Sequence, residues 1–257
     1  MNKVTIITVC YNAVKVIENT IKSVVNQTYP EKEYIIIDGG SIDGTIDIIK
    51  KYEGQIDYWL SEPDKGIYDA MNKGILKATG DFINFMNAGD SFYSNTVLQL
   101  FFSLFDSKAD IAYGDTMMIY NVASVLRKPD PLEGITSHMV FGHQATFIRA
   151  AYHKSHLFDL SYCSSGDYNF FYNSYVNGAK FQYIPVIVAN YEAEDGMSAK
   201  NHLLSQRENA RIQGINKSLK WKLNYCVYAT SFEIKNFIKR LLPTKIVDII
   251  RAKNLRK

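Results

Sequence analysis

The first third of the chain alternates between two hydrophobic rhythms. Residues 4–10, VTIITVC, form a nearly continuous apolar run, as expected of a strand buried on both faces. Val14, Ile17, Ile21, Val24 and Val25 then recur at helical spacing, with Asn12 placed to cap the helix and Pro30 to forbid its continuation. The rhythms repeat: a strand over 34–37, a helix over 44–52 with Ile46, Ile49 and Tyr52 inward, and a short strand over 57–60. After the SEPDKG loop come a helix over 67–78 and a strand over 81–86. Strand alternating with helix predicts crossover connections and an α/β fold, a mainly parallel Rossmann-like sheet with helices on both faces.

Beyond a helix over 95–105 the alternation decays. Residues 111–120 read as a strand or hairpin, 144–149 and 181–190 as strands, and 168–176 as a helix. The last stretch is helical, broken at Pro243. No internal repeat or low-complexity linker interrupts the chain. Three parts are expected: residues 1–110 as the alternating half, 111–216 as a second half that packs on it and completes a shared cleft, and 217–257 as a basic amphipathic tail.

Composition narrows the class. The 257 residues are 47% apolar and 21% charged, which fits a globular protein with a substantial core. The amino terminus reads as a core strand rather than a signal peptide, and no apolar stretch is long enough to span a bilayer. Cys10, Cys163 and Cys226 lie far apart in no metal-ligand spacing, so buried thiols in a reducing compartment are expected. The net charge of +3 is uneven: residues 217–257 hold 11 Lys or Arg against 2 acids, and the rest is mildly acidic.

Ligands of open parallel sheets bind outside the carboxyl ends of the strands. Polar residues collect there: Thr8 and Tyr11 at strand one, Asp38 in IIIDGGSIDGT, and Asp90 in NAGDS. Each could simply cap a helix or make a turn. Asp38 and Asp90, both beside glycines that permit close backbone approach, point together to a ligand. No G-x-G-x-x-G or G-x-x-x-x-G-K-[ST] loop follows strand one, which excludes an ordinary dehydrogenase and a P-loop enzyme. An acid after strand two can accept from a base or ribose, and one after strand four can ligate a hard cation. A nucleoside diphosphate with a metal satisfies both.

These segments, with SEPDKGIYDAMNKGILKATGD and FINFMNAGDSFY, resemble the nucleotide-sugar domain of glycosyltransferase family 2. The resemblance is dense over residues 4–93 and continues through FGHQATFIR, SSGDYNFFYN and NYEAEDGMS to about residue 200. It implies the GT-A fold and inverting, non-processive transfer of a sugar, most often from a UDP-sugar, as in bacterial surface-polysaccharide synthesis. By position, Thr8 and Tyr11 would border the base, Asp38 would accept from uracil, and Asp64 and Lys65 would lie near the nucleotide. Asp90 would ligate Mn²⁺ or Mg²⁺, although Asn87 and Gly89 stand where the family often has further acids. Asp167 would be the general base, with a helix N-cap or first-turn acid as its plain reading. His143 and Gln144 match a recurrent segment near donor sugar or acceptor, and Gly196 and Ser198 would belong to a loop over the same region. His153 and His156 read as a surface pair rather than metal ligands.

The tail interleaves Trp221, Tyr225, Tyr228, Phe232, Phe237, Ile238, Leu241 and Leu242 with lysines and arginines. Such a helix suits the surface of an anionic membrane, which places a cytoplasmic enzyme peripherally on the inner face and near a saccharide or lipid-linked acceptor. No nucleic-acid motif is present. Two other readings stay open: a non-catalytic nucleotide-sugar-binding protein, and a nucleotidyltransferase of similar α/β shape.

Overall fold

The computed structural model describes residues 1–193 and 201–241. Strands β1 (Val4–Cys10), β2 (Lys32–Asp38), β3 (Tyr58–Ser61) and β4 (Phe82–Phe85) run parallel in the order β3-β2-β1-β4. Their crossovers are α1 (Ile17–Val25), α2 (Thr45–Lys51) and α3 (Ile67–Lys77). The pairing register sets Cys10 beside Asp38 and Asp38 beside Ser61, so three strand ends meet at one edge.

The second half extends the same sheet in mixed directions. It contributes β5 (Ser91–Phe92), α4 (Val97–Ser103), β6 (Ile111–Tyr120), β7 (Ala123–Arg127), β8 (Thr146–Arg149) and α5 (Ala150–Ser155). Helix α6 (Gly166–Val176), β9 (Phe181–Glu192), α7 (His202–Ile212) and α8 (Leu219–Leu241) follow. The described strands form one nine-stranded sheet, β3-β2-β1-β4-β8-β6-β9-β5, with β7 paired to β6. Strand β8 runs antiparallel to both β4 and β6 and so welds the halves together.

Both faces of β1 are buried, as its apolar run requires. Val4 and Ile6 pack with Ile17, Ile21 and Val24 on one face, and Ile7 and Val9 pack with Met71 and Ile75 on the other. Burying each such side chain contributes roughly 1.5–3 kcal/mol, enough to set the sheet's registry. Among the described residues no helix is long and apolar enough to cross a membrane.

Several expectations change. Helix α1 begins at Ile17, so Asn12 does not cap it. Asn12 instead sits at φ 48°, and its Oδ1 accepts from Ile42 N at 3.0 Å, tying the end of β1 to the loop after β2. Gln144 belongs to a 3₁₀ turn, His143–Ala145, ahead of β8. Cys10 is buried, but Cys163 and Cys226 are exposed. Pro243 and Leu242 lie outside the described residues.

Candidate active site

Asp38 is 0% exposed, and its carboxylate is committed to its own chain. Oδ2 accepts from Gly40 N (3.1 Å), Ser41 N (2.8 Å) and Ser61 Oγ (2.6 Å), while Oδ1 accepts from Ser41 Oγ and Cys10 Sγ (3.4 Å). Burial pushes this carboxyl up, but the serine and backbone donors outweigh it and hold it below the usual range. Asp38 was expected to accept from uracil; in the folded chain both of its oxygens already accept from Gly40, Ser41, Ser61 and Cys10. The space above the loop after β2 belongs to Gly39, where a Cβ would meet Asp64 Oδ2 at 2.6 Å and the Tyr11 ring at 3.3 Å. Tyr11 is exposed, and Asp64 Oδ1 accepts from Gly66 N at 2.9 Å. Lys65 is exposed in the same loop. Thr8 is not at this surface: it is buried, donates to Met86 O at 2.7 Å and pairs with Tyr34 OH at 3.0 Å. As a mid-strand residue it faces the core between β1, β2 and β4.

Asp90 presents the opposite case. It is 7% exposed, and burial dominates, pushing its carboxyl up to about 7 against the opposing pull of His143, Gln144 and the Glu192 backbone. Its turn is fixed from α1, where Thr20 Oγ1 donates to Asp90 O (2.7 Å) and accepts from Gly89 N (3.1 Å).

The 3₁₀ turn His143–Ala145 connects this turn to α6. His143 and Gln144 are the side chains that favour a charged Asp90. His143 Nε2 lies 3.2 Å from Asn87 Nδ2, and His143 Nδ1 lies 3.4 Å from Asp167 Oδ2. Asp167 Oδ1 accepts from Tyr68 OH (3.1 Å) and Tyr168 N (2.9 Å). Asn87, His143, Asp167 and Tyr68 thus form one chain across the sheet. Burial opposes a charged His143, yet Asp167 and then Asp90 raise its affinity for a proton overall. Burial likewise pushes Asp167 up, and His143, Tyr168 N and Tyr68 together hold it lower than an ordinary carboxyl. The acid therefore stays ionised at neutral pH, beside a cleft of about 230 Å³ lined by Thr116, Arg127, Gln144, Ser205 and Asn209.

Two supporting residues, Tyr68 and Glu208, carry no signal that singled them out in the sequence. The Tyr68 ring lies so close to Gly166 that a Cβ there would approach it to 2.7 Å. Glu208 is buried, and its carboxylate accepts from Cys163 N (2.8 Å), Ser164 N (2.9 Å) and Ser165 N (2.8 Å). It thereby clamps the turn that starts α6. Asn87, where the family often has an acid, is instead the polar partner of His143. His153 is a correction of another kind: it is fully buried among Phe85, Phe158 and Phe170 and held down to about 4, so the expected surface pair with His156 does not exist. Gly196 and Ser198 lie outside the described residues.

Among the described residues no group of three or more His, Cys, Asp or Glu could hold a metal alone. What the turn after β4 offers is the Asp90 carboxylate and the buried Asn87 Oδ1, which has no hydrogen-bond partner. That set fits a hard divalent cation whose remaining ligands are phosphate oxygens and water.

The family model for glycosyl transferase family 2 matches residues 5–164. An uncharacterized glycosyltransferase of Mycobacterium tuberculosis (strain CDC 1551 / Oshkosh) is 34% identical over 150 residues, 56% of this chain and 57% of its own length. A PGL/p-HBAD biosynthesis glycosyltransferase of Mycobacterium bovis (strain BCG / Pasteur 1173P2) is 29% identical over 194 residues, 73% of this chain and 75% of its own. Staphylococcus aureus TarS 1–349 in complex with UDP superimposes with a TM-score of 0.64 at 19% identity, over 82% of this chain and 65% of that one. The mannosyltransferase PcManGT from Pyrobaculum calidifontis, in complex with GDP-Man and Mn²⁺, gives 0.64 at 15% identity, over 82% and 63%. This chain thus spans little more than half of the first relative and under two thirds of each of these two structures. The shared fold is the GT-A fold. With most of its length matched, including the strand-end loops and the His143 turn, the chain belongs to glycosyl transferase family 2.

Proposed function

We propose that this protein transfers a sugar from a nucleotide-sugar, with UDP-sugars the first to test, to a hydroxyl of a saccharide or lipid-linked acceptor, with inversion. The observation that carries this reading is the turn at His143, which holds the ionised Asp167 at the cleft and also favours charge on the nearby Asp90. The nucleoside would lie on the Gly39 surface between Tyr11 and Asp64, with Lys65 nearby. A divalent cation held by Asp90 and Asn87 Oδ1 would neutralise charge on the donor diphosphate.

Asp167 would accept the proton of the acceptor hydroxyl as its oxygen bonds to the anomeric carbon and the bond from that carbon to the diphosphate breaks. A carboxylate held low by its partners is a weak base, so proton transfer must come late, when the attacking oxygen is already acidic. His143 keeps the carboxylate ionised, and Tyr68 fixes its Oδ1. The basic tail, resting on an anionic membrane, would bring the cleft to a lipid-linked acceptor for surface polysaccharide. The test is turnover of a panel of UDP-sugars with and without Mn²⁺, comparing the natural chain with Asp167→Asn. Equal turnover in the two proteins would remove Asp167 from the mechanism, and donor binding without any transfer or hydrolysis would make the protein a sensor.

A further inference from the structure

Helix α8 has two apolar faces, and only one is covered. Trp221, Tyr225, Tyr228 and Phe232 form a stripe at helical spacing that turns toward α7. His202 stacks on Phe232 at 5.1 Å and hydrogen-bonds Tyr228 OH, Tyr225 OH donates to Leu203 O at 3.2 Å, and Trp221 stacks on Tyr225 at 5.0 Å. The aromatic residues that suggested membrane contact in the sequence are therefore largely engaged within the protein.

The opposite stripe is aliphatic apart from Phe237. Leu219, Leu223, Val227, Ile234, Phe237 and Ile238 follow the i, i+3, i+4 rhythm and are 49–73% exposed. Thr230 falls on the same face, but its hydroxyl donates to Cys226 O at 2.9 Å, which hides its polarity within the helix. Exposed Lys220, Lys222 and Lys235 flank the stripe, with Glu233 the single acid between Lys217 and Leu241.

We propose that α8 lies flat on an anionic bilayer, with the Leu219–Leu223–Val227–Ile234–Ile238 stripe in the acyl boundary and the aromatic stripe held on α7. Charge decides the occupant. Between Lys217 and Leu241 the sequence holds six Lys or Arg against Glu233 alone, so a second copy would bring two like-charged helices together, whereas anionic headgroups complement the flanking lysines. Helix α7 gives this placement a consequence. Its His202 and Leu203 carry α8, its Ser205 and Asn209 line the cleft, and its Glu208 clamps the turn before Asp167. One short helix therefore ties the membrane-bound face to the acid at the cleft, within reach of an acceptor hydroxyl carried on lipid. This inference rests on the proposed membrane contact and specifies which face makes it.

The experiment uses the full chain, without donor or acceptor. Cosedimentation is measured with vesicles of equal parts phosphatidylcholine and phosphatidylglycerol, and with phosphatidylcholine alone, at low and high salt. The natural chain should bind the anionic vesicles in a salt-sensitive way. The variant Leu223→Asp, Val227→Asp, Ile234→Asp should lose about tenfold or more in partitioning while keeping its helix content and UDP affinity. In a second variant, Val227→Cys with Cys163→Ser and Cys226→Ser, an environment-sensitive dye on the new thiol should shift to the blue on anionic vesicles. Undiminished binding by the aspartate variant, or an unshifted dye on bound protein, overturns the assignment of the face while leaving membrane contact intact. A natural chain that ignores anionic vesicles overturns both, and turnover on a soluble acceptor tests the transferase reading separately. Dimers of the natural chain in lipid-free sedimentation, dispersed by the aspartate substitutions with vesicle binding unchanged, would assign the face to a second copy and overturn the proposal.

Discussion

Asp38 ends β2 and Asp90 lies in the turn after β4, each beside a glycine, and both are almost wholly buried. Their carboxyls are nevertheless displaced in opposite directions: Asp38 is held low, and Asp90 is pushed up to about 7. Burial pushes both up, more strongly at the deeper Asp90, and the donors around the two acids differ as well. Asp38 has five around its two oxygens, two of them backbone N–H groups. Asp90 is left with the attraction of His143, Gln144 and one backbone group, too little to offset its lost hydration. An acid whose charge is fully satisfied is a structural device. An acid whose charge is unsatisfied in the folded chain is the better candidate for a ligand. Asp167 stands between these cases, with partners enough to stay ionised and a side chain that still reaches a cleft.

The comparison can be broken by substitution. The largest effect is expected at the proposed base: Asp167→Asn should lower turnover about 100- to 10,000-fold, with donor binding nearly unchanged in a titration. Asp38→Ala should act on the fold, leaving buried donors at Ser41 and Ser61 without a partner and lowering unfolding free energy by about 2–5 kcal/mol. Chemical denaturation reads that loss; a natural midpoint combined with weakened UDP binding would instead restore Asp38 as a direct ligand of the base. Glu208→Gln sets an amide against three backbone N–H groups, which should cost about 1–3 kcal/mol. It should also slow turnover about tenfold by loosening the mount of Asp167, with little change in donor affinity. Gly166→Ala forces a methyl against the Tyr68 ring and should destabilise by about 1–3 kcal/mol. The smallest effect on stability belongs to Asp90→Asn, which removes a charge the fold does not satisfy and should leave the denaturation midpoint no lower than in the natural chain. Its signature should be functional: loss of manganese-enhanced UDP binding, measured by calorimetry.

The alternation of strand and helix through Phe85 was legible because hydrophobic period is a local property, set by which faces a strand or helix must bury. The added strands were less so, since β8 pairs antiparallel with β4 across more than sixty residues. The start of α1 was misread because Asn12, a good capping residue, found a better partner in the loop after β2. His153 was misread because two histidines at helical spacing say nothing of the phenylalanines that enclose one of them. The tail's basic charge was plain in the sequence, but not which apolar stripe was already used.

By itself the sequence determined the parallel α/β half, the acids at its strand ends and the imbalance of charge toward the carboxyl terminus. All three follow from residue type and near-neighbour spacing. Only the tertiary structure decided how each acid is employed: that Asp38 is saturated by Ser41 and Ser61, that Asp90 is not saturated, and that Asp167 is held by His143, Tyr68 and a turn clamped by Glu208. These outcomes depend on donors brought together from distant segments, and the ionisation of a buried carboxyl depends on the number and placement of those donors.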